Sequence, residues 1–350
     1  MTDDLYMQRC LELAAMGMGN VSPNPLVGCV IVCDDQIIGE GYHVRFGQAH
    51  AEVNAVHAVI DKYGDKAAGL LSRATAYVSL EPCAHFGKTP PCADLLIRHG
   101  LKKVVIGNND PFDQVDGKGI QKLKAAGIEV VSGILEEECS RLNRRFFTRI
   151  RKQRPYIILK WATTADGYFA PKNMAQKWIS GPLAKKIVHK WRTEEDAVLV
   201  AKLTAMADNP KLNAREWPGK NPIRVLVDRH LQVPQSNHLY NDQAKTVIFN
   251  ELKTEVQHNI HYIQMEDMQY YLPQKIAFQL YLMDIQSIII EGGANILHQF
   301  IHGGLWDEAR VFTANKIWNE GIASPQIHGL ITDQFKIGKD KLTIFQNNHS

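Results

Sequence analysis

Cysteine is absent from the last 211 positions of this 350-residue chain; all six (Cys10, Cys29, Cys33, Cys83, Cys92 and Cys139) come earlier. An extracellular disulfide framework would be denser and would not stop at residue 139, so the thiols point to a reducing compartment. No apolar run approaches the ~18 residues that a membrane helix needs. The start, Met1-Thr2-Asp3-Asp4, is acidic and lacks the apolar core of a secretory signal. The expected location is therefore cytoplasmic. Charge of one sign is also scarce: 40 Lys+Arg against 37 Asp+Glu leave +3. That is too little for long-range attraction to nucleic acid or an anionic membrane. A Gly-x-Gly-x-x-Gly run is missing, and with it the usual dinucleotide fingerprint. What remains is 45% hydrophobic and 22% charged, the balance of a globular protein, at a length that suits two domains.

The chemistry concentrates in His50-Ala51-Glu52 and in the segment from Glu81-Pro82-Cys83 to Cys92. A histidine two residues ahead of a glutamate, followed by Pro-Cys and a second cysteine, is the pattern of a zinc-dependent deaminase. His50, Cys83 and Cys92 would hold the metal and leave a fourth position open, as catalytic zinc requires. Glu52 is then placed to carry protons. By spacing alone the ligand set stays open. Eight residues separate the cysteines where two are usual, and His85 lies between them as a competing ligand.

Residues 3–16 pattern as an amphipathic helix, followed by the turn Ser22-Pro23-Asn24-Pro25 and a hairpin of strands 27–33 and 37–42. Cys29 and Cys33 share one strand face and read as core packing. Residues 50–63 read as a helix with His50 and Glu52 in its first turn, 74–80 as a strand, and 92–99 as a helix opening on Cys92. Strand 102–107, helix 120–126, strand 128–132 and a helix from Glu136 follow. Alternating strand and helix predict a mostly parallel, helix-covered sheet. Residues 141–154 carry seven basic side chains and no acid. This reads as a solvated helix face leading to a boundary at Arg154-Pro155, in preference to an RNA-contacting strip. Beyond it, strands at 156–161, 198–201, 223–227, 246–249, 261–264 and 287–291 surround a helix over 270–283. The last strand ends in Glu291-Gly292-Gly293-Ala294 and starts a helix, a turn that brings backbone close to a phosphate.

Pro23-Asn24-Pro25-Leu26-Val27-Gly28, Gly39-Glu40-Gly41-Tyr42-His43, His50-Ala51-Glu52 and the run from Glu81 through Gly87-Lys88-Thr89-Pro90-Pro91-Cys92 together resemble the bifunctional riboflavin-biosynthesis deaminase–reductases. Lys160-Trp161-Ala162, Asp166-Gly167, Trp178-Ile179-Ser180, Asp208-Asn209-Pro210 and Glu291-Gly292-Gly293 extend the likeness over nearly the whole chain. The resemblance implies an α/β protein. A cytidine-deaminase-like α/β/α sandwich would occupy residues 1–150, and a dihydrofolate-reductase-like α/β domain residues 155–350. The first would hydrolyse the 2-amino group of 2,5-diamino-6-ribosylamino-4(3H)-pyrimidinone 5′-phosphate, and the second would reduce the ribosyl to a ribityl chain with NADPH. It assigns one zinc ion to His50, Cys83 and Cys92, and proton transfer to Glu52. Asn24 would meet the pyrimidine, and His85 and Lys88 the phosphate.

For the reductase half the resemblance implies that Ala162, Trp178, Thr204, Asp208, Gly293, Ala294, Asn295, Ile296, Leu297, His298 and Gln299 line the cofactor. Arg229 is placed to approach a 2′-phosphate. Gln176, Arg192, Leu212, Arg215 and Glu291 would line the substrate, the two arginines as a fork for a phosphate monoester. The implied partners are a phosphorylated pyrimidine and further copies of the chain, a dimer being favoured; neither nucleic acid nor membrane is expected. There are departures. Ala201-Lys202-Leu203-Thr204 stands where the family has Gly-x-x-Thr, Gln176 where serine is common, and Thr313-Ala314-Asn315-Lys316 where an apolar-proline run is frequent. Such changes leave a second reading, a deaminase joined to a non-catalytic binding or dimerisation module.

Overall fold

The computed structural model describes residues 2–84, 86, 90–112, 116–173 and 178–348. The chain divides into two compact units, Met1–Lys152 and Gln153–Ser350. In the first, helix α1 (Asp3–Ala15) precedes the hairpin β1 (Gly28–Cys33) and β2 (Gln36–Tyr42). Then come α2 (Ala51–Tyr63), α3 (Ala67–Leu71), β3 (Thr75–Val78), α4 (Cys92–Arg98), β4 (Lys103–Ile106) and α5 (Lys118–Ala125). Strand β5 (Glu129–Ser132), α6 (Glu136–Leu142) and α7 (Arg144–Lys152) complete the unit. The sheet order is β2-β1-β3-β4-β5. The hairpin side is antiparallel and β3, β4 and β5 are parallel, as short crossover helices demand.

Period-2 alternation sends β1 side chains to two cores. Cys29, Ile31 and Cys33 pack under α2, α3 and α4, while Val30 and Val32 meet Met7, Cys10 and Leu11 of α1 with Cys139 of α6. Both faces of the sheet are thus covered, and Cys29 and Cys33 are core residues.

The second unit begins with β6 (Tyr156–Thr164), β7 (Tyr168–Ala170), α8 (Pro182–Glu194), β8 (Ala197–Ala201) and α9 (Lys202–Asp208). Strands β9 (Ile223–Val227), β10 (Thr246–Asn250), β11 (Glu255–Gln257) and β12 (Ile260–Gln264) precede α10 (Leu272–Leu282), β13 (Ser287–Ile290) and α11 (Ala294–His302). The chain ends in β14 (Glu308–Ala314), β15 (Ile322–Ala323), β16 (Leu330–Ile337) and β17 (Asp340–Gln346). Ten of these strands form one sheet in the order β11-β12-β10-β9-β8-β13-β6-β14-β17-β16. From β12 to β14 it is parallel. Ile157 and Leu159 of β6 enter one core and Tyr156 and Ile158 the other, so the strand reads as an unbroken apolar run.

In such a sheet ligands gather at the carboxyl ends of the strands. Here those ends carry Ala201, Asp228-Arg229 and Glu291-Gly292-Gly293. The close approach of the β13 end to β8 requires glycine: a Cβ at Gly292 would sit 2.5 Å from Ile296 Cγ2 and 3.2 Å from Ala201 N.

Candidate active sites

In the first unit His50 caps α2 and Glu52 lies in its first turn; Cys83 follows β3, and Cys92 is the first residue of α4. The structure brings the three ligands together. His50 Nδ1 is 3.7 Å from Cys83 Sγ and 3.3 Å from Cys92 Sγ, and the ligand atoms all lie within 4.8 Å of one another. With Zn–S near 2.3 Å and Zn–N near 2.0 Å, the edge of a tetrahedral site is about 3.6 Å. The described residues fit zinc without rearrangement. The Cys92 N–H, unpaired within its own helix turn, donates to Cys83 Sγ at 3.3 Å. The hydrogen bond from the Cys92 thiol, and then that from His50, draw Cys83 down to about 4.

Glu52 is 3% exposed. Burial pushes its carboxyl up to about 7, and Cys83 adds to the push. A cavity of about 360 Å³ opens over Glu52, His50 and Cys83, and its wall includes Asn24, His43 and Asp110. His43 Nδ1 faces the Ala49 carbonyl at 3.0 Å, which can only accept, so Nδ1 carries the proton. Nε2 then accepts from Asn24 Nδ2 at 3.1 Å. That bond fixes which end of the Asn24 amide is turned toward the imidazole. Asp110, whose carboxyl burial pushes up to about 7, accepts the Phe112 N–H at 2.9 Å.

Glu81, which the sequence marks only as part of the Pro-Cys motif, acts as a clasp. Its carboxylate accepts backbone N–H groups from Asp110, Gly117, Gly119 and Ile120 at 2.9–3.4 Å. The approach is so close that a Cβ on Gly119 would lie 2.1 Å from the Pro82 carbonyl.

The basic strip differs from its sequence reading as a solvated face. Phe146 and Phe147 of α7 anchor the helix against Leu80, Arg145 is buried, and Arg149 and Ile150 reach the cavity wall. His85 and Lys88 lie outside the described residues.

The second unit holds a cavity of about 840 Å³ at the carboxyl ends of β6, β8, β9 and β13. Ala162, Trp178, Thr204, Asp208, Arg229, Gly293, Ala294, Asn295, Ile296 and Gln299 all line it. Leu297 and His298 do not. Leu297 is fully buried in the core, and His298 stacks on His302. A Cβ on Gly293 would stand 3.1 Å from Thr204 Oγ1. The bare backbone there, opening into α11, forms a cradle suited to a pyrophosphate.

Arg192, Leu212, Arg215 and Glu291 line the same cavity, while Gln176 lies outside the described residues. The two arginines are not equivalent. Arg192 is committed to Glu291 through Nε and Nη2, both at 2.9 Å, whereas Arg215 is steadied by Asn213 Oδ1 at 3.0 Å. Burial would raise the Glu291 carboxyl, but Arg192 and Lys160 outweigh it and hold it near 2. Lys160, 3.5 Å from Glu291, also lines the cavity. Neither Lys160 nor His43 carries a role that its sequence motif alone reveals. His189 lies on the same face of α8 as Arg192, 1% exposed, and burial followed by Arg192 lowers it to about 4, so it is a neutral imidazole.

Residues 1–108 match the cytidine and deoxycytidylate deaminase zinc-binding region, and residues 155–321 match the RibD C-terminal domain. Over 346 residues the chain is 40% identical to the riboflavin biosynthesis protein RibD of Aquifex aeolicus, covering 97% of this chain and 95% of that one. The RibD of Escherichia coli is 37% identical over 333 residues, 91% of this chain and 89% of its own. Among solved structures, a diaminohydroxyphosphoribosylaminopyrimidine deaminase/5-amino-6-(5-phosphoribosylamino)uracil reductase from Thermotoga maritima superposes with a TM-score of 0.89. It is 35% identical, and the match covers 99% of this chain and 98% of that one. Acinetobacter baumannii RibD superposes with a TM-score of 0.87 at 33% identity, covering 98% of each chain.

Proposed function

The chain belongs to the RibD family of riboflavin-biosynthesis proteins, and from that premise we propose that residues 1–150 deaminate a phosphorylated pyrimidine and residues 155–350 reduce its sugar. It is an enzyme with deaminase and reductase activities, using zinc and NADPH. The observation that carries the deaminase half is the convergence of His50, Cys83 and Cys92 beside a buried Glu52 in one cavity.

When bound, zinc supplies a Lewis acid that makes water nucleophilic near neutral pH. Glu52 takes a proton from the attacking water on a carboxylate oxygen and returns it to the departing 2-amino nitrogen. Asn24, held by His43, presents its amide to the pyrimidine edge, and His85 and Lys88 take the phosphate.

In the second cavity NADPH supplies a hydride. Lys160 and Arg192 hold Glu291 ionised in the cavity wall, and the Lys160 ammonium, which lines the same cavity, would give a proton to the sugar oxygen. Arg215 takes the phosphate monoester, and Arg192 and Leu212 complete the described wall; Gln176 is assigned to the substrate by resemblance alone. Trp178, Thr204 and the turn at Gly293 hold the cofactor, with Arg229 at its 2′-phosphate. A non-catalytic second unit is not favoured, since Thr204, Asp208 and Gly293 line the cavity despite the departure at Ala201.

The substrate is 2,5-diamino-6-ribosylamino-4(3H)-pyrimidinone 5′-phosphate. Zinc-loaded protein given this compound should release ammonia and gain one mass unit on the product without NADPH, and add two hydrogens only when NADPH is present. A product reduced before deamination, or no ammonia, would contradict the order of steps.

The reading extends to a homodimer in the cytoplasm, where the free thiols of Cys83 and Cys92 stay reduced. Its support is β16, an edge strand exposed along most of its length that presents Leu330, Ile331 and Phe335. Light scattering should give twice the 39.5 kDa chain mass, and a Phe335→Asp protein should shift toward the monomer; a wild-type monomer at working concentration would refute it.

A further inference from the structure

In the run Ala201-Lys202-Leu203-Thr204 the residue after the turn's Ala201, a position the family's Gly-x-x-Thr leaves open, is a cation. Lys202 is the first residue of α9, and the residue before it, Ala201, pairs with Val227 at the end of β9. Its ammonium is drawn across to the neighbouring strand's loop, where it donates to Gln232 Oε1 at 2.5 Å. That loop also carries Arg229, and both cations line the large cavity. They occupy a rim formed by the adjacent ends of β8 and β9.

The acids near this rim are already placed. Asp228 directly follows β9, where an acid in a dinucleotide site would hydrogen-bond the 2′-hydroxyl of an unphosphorylated ribose. Here it is fully buried and accepts the Val233 N–H at 2.7 Å, so it is turned inward. Glu251, at the end of β10, accepts Arg229 Nε at 2.6 Å and the Met268 N–H at 2.7 Å, with His230 Nε2 4.0 Å away. Asp208 closes the other end of α9, about 9 Å along the helix axis from Lys202. Arg229 shares its charge with Glu251, whereas the Lys202 ammonium has a neutral amide as its partner. An arriving phosphate can displace that amide without breaking an ion pair.

We propose that Lys202 is a specificity-determining residue of the reductase unit, pairing with Arg229 to clamp the 2′-phosphate of the phosphorylated nicotinamide cofactor. The inference rests on the reductase reading of this unit. It gives a role to the open position after Ala201: the side chain that begins α9 recognises the extra phosphate.

Calorimetric binding of NADPH and of NADH to the full-length protein tests it, using wild type, Lys202→Gln and Lys202→Arg. Lys202→Gln should raise the Kd for NADPH about tenfold and leave that for NADH within about twofold. Lys202→Arg, which keeps the charge, should stay near wild type for both. Equal weakening of the two cofactors by Lys202→Gln would place the contact on a part they share and overturn the proposal, as would no change in either. A wild-type protein that binds neither cofactor, with its thermal midpoint showing it folded, would instead refute the reductase reading beneath it.

Discussion

Replacing Glu52 with glutamine is expected to cut ammonia release by about three orders of magnitude, within the range that a positioned general acid–base supplies. The amide has the volume and hydrogen-bonding reach of the carboxyl, so the first turn of α2 and the three ligands beside it should stay in place. What it cannot do is accept a proton and give it back. Zinc content, measured by metal analysis on dialysed protein, should match wild type. Reduction of deaminated substrate supplied from outside should run at the native rate, because the described residues that line the second cavity lie between Lys160 and Ile322. Ammonia release at the native rate would show that protons travel by another group.

Removing a ligand should have the second large effect. Cys92→Ala leaves His50 and Cys83 and takes away one thiolate. Dividing the apparent binding free energy of a four-ligand zinc site, about 10–16 kcal/mol, gives about 3 kcal/mol per ligand, or about two orders of magnitude in affinity. The fold should lose only about 1 kcal/mol from the small cavity left at the start of α4. The expected protein is therefore folded, depleted of zinc after dialysis and silent in ammonia release, with its reductase intact. The same experiment decides between Cys92 and the rival histidine of its loop. Full retention of zinc by Cys92→Ala, with loss in a His85→Ala protein, would reassign the third ligand.

The metal site was legible from residue type and two local facts, a helix beginning beside His50 and a strand ending before Cys83, but the choice of Cys92 over His85 came from the family resemblance and not from spacing. Buried parallel strands such as Ile223–Val227 were legible as short apolar runs with turn residues on either side. Strand β16 was not: its Leu-Ile-Thr-Asp-Gln-Phe-Lys-Ile run has neither alternation nor a buried face. The role of Glu81 was not legible, since its amide partners lie 29 to 39 residues away and leave no local mark. The turn after Gly293 shows a third kind of limit. Residues 293–299 read as one lining segment, but a helix turns about 100° per residue. Ala294, Asn295, Ile296 and Gln299 therefore face the cavity, while Leu297 and His298 turn away. Arg192 and Arg215 were both legible as phosphate groups, but only coordinates show that the first is spent on Glu291.

The clasp made by Glu81 bears on how this site can change. Its partner is a second closure, the Ala93 N–H to the Cys83 carbonyl at 3.2 Å, which shuts residues 83–93 into a loop with a fixed neck. Chain length inside such a loop is inexpensive, since doubling it costs about 0.6 kcal/mol in closure entropy. Insertions or replacements between Ala84 and Pro91 should therefore leave the metal ligands where they are. Recognition of the phosphate can then drift while the hydrolytic machinery stands still, and the loop is the place from which a descendant, natural or designed, would acquire a different appended group on the same ring.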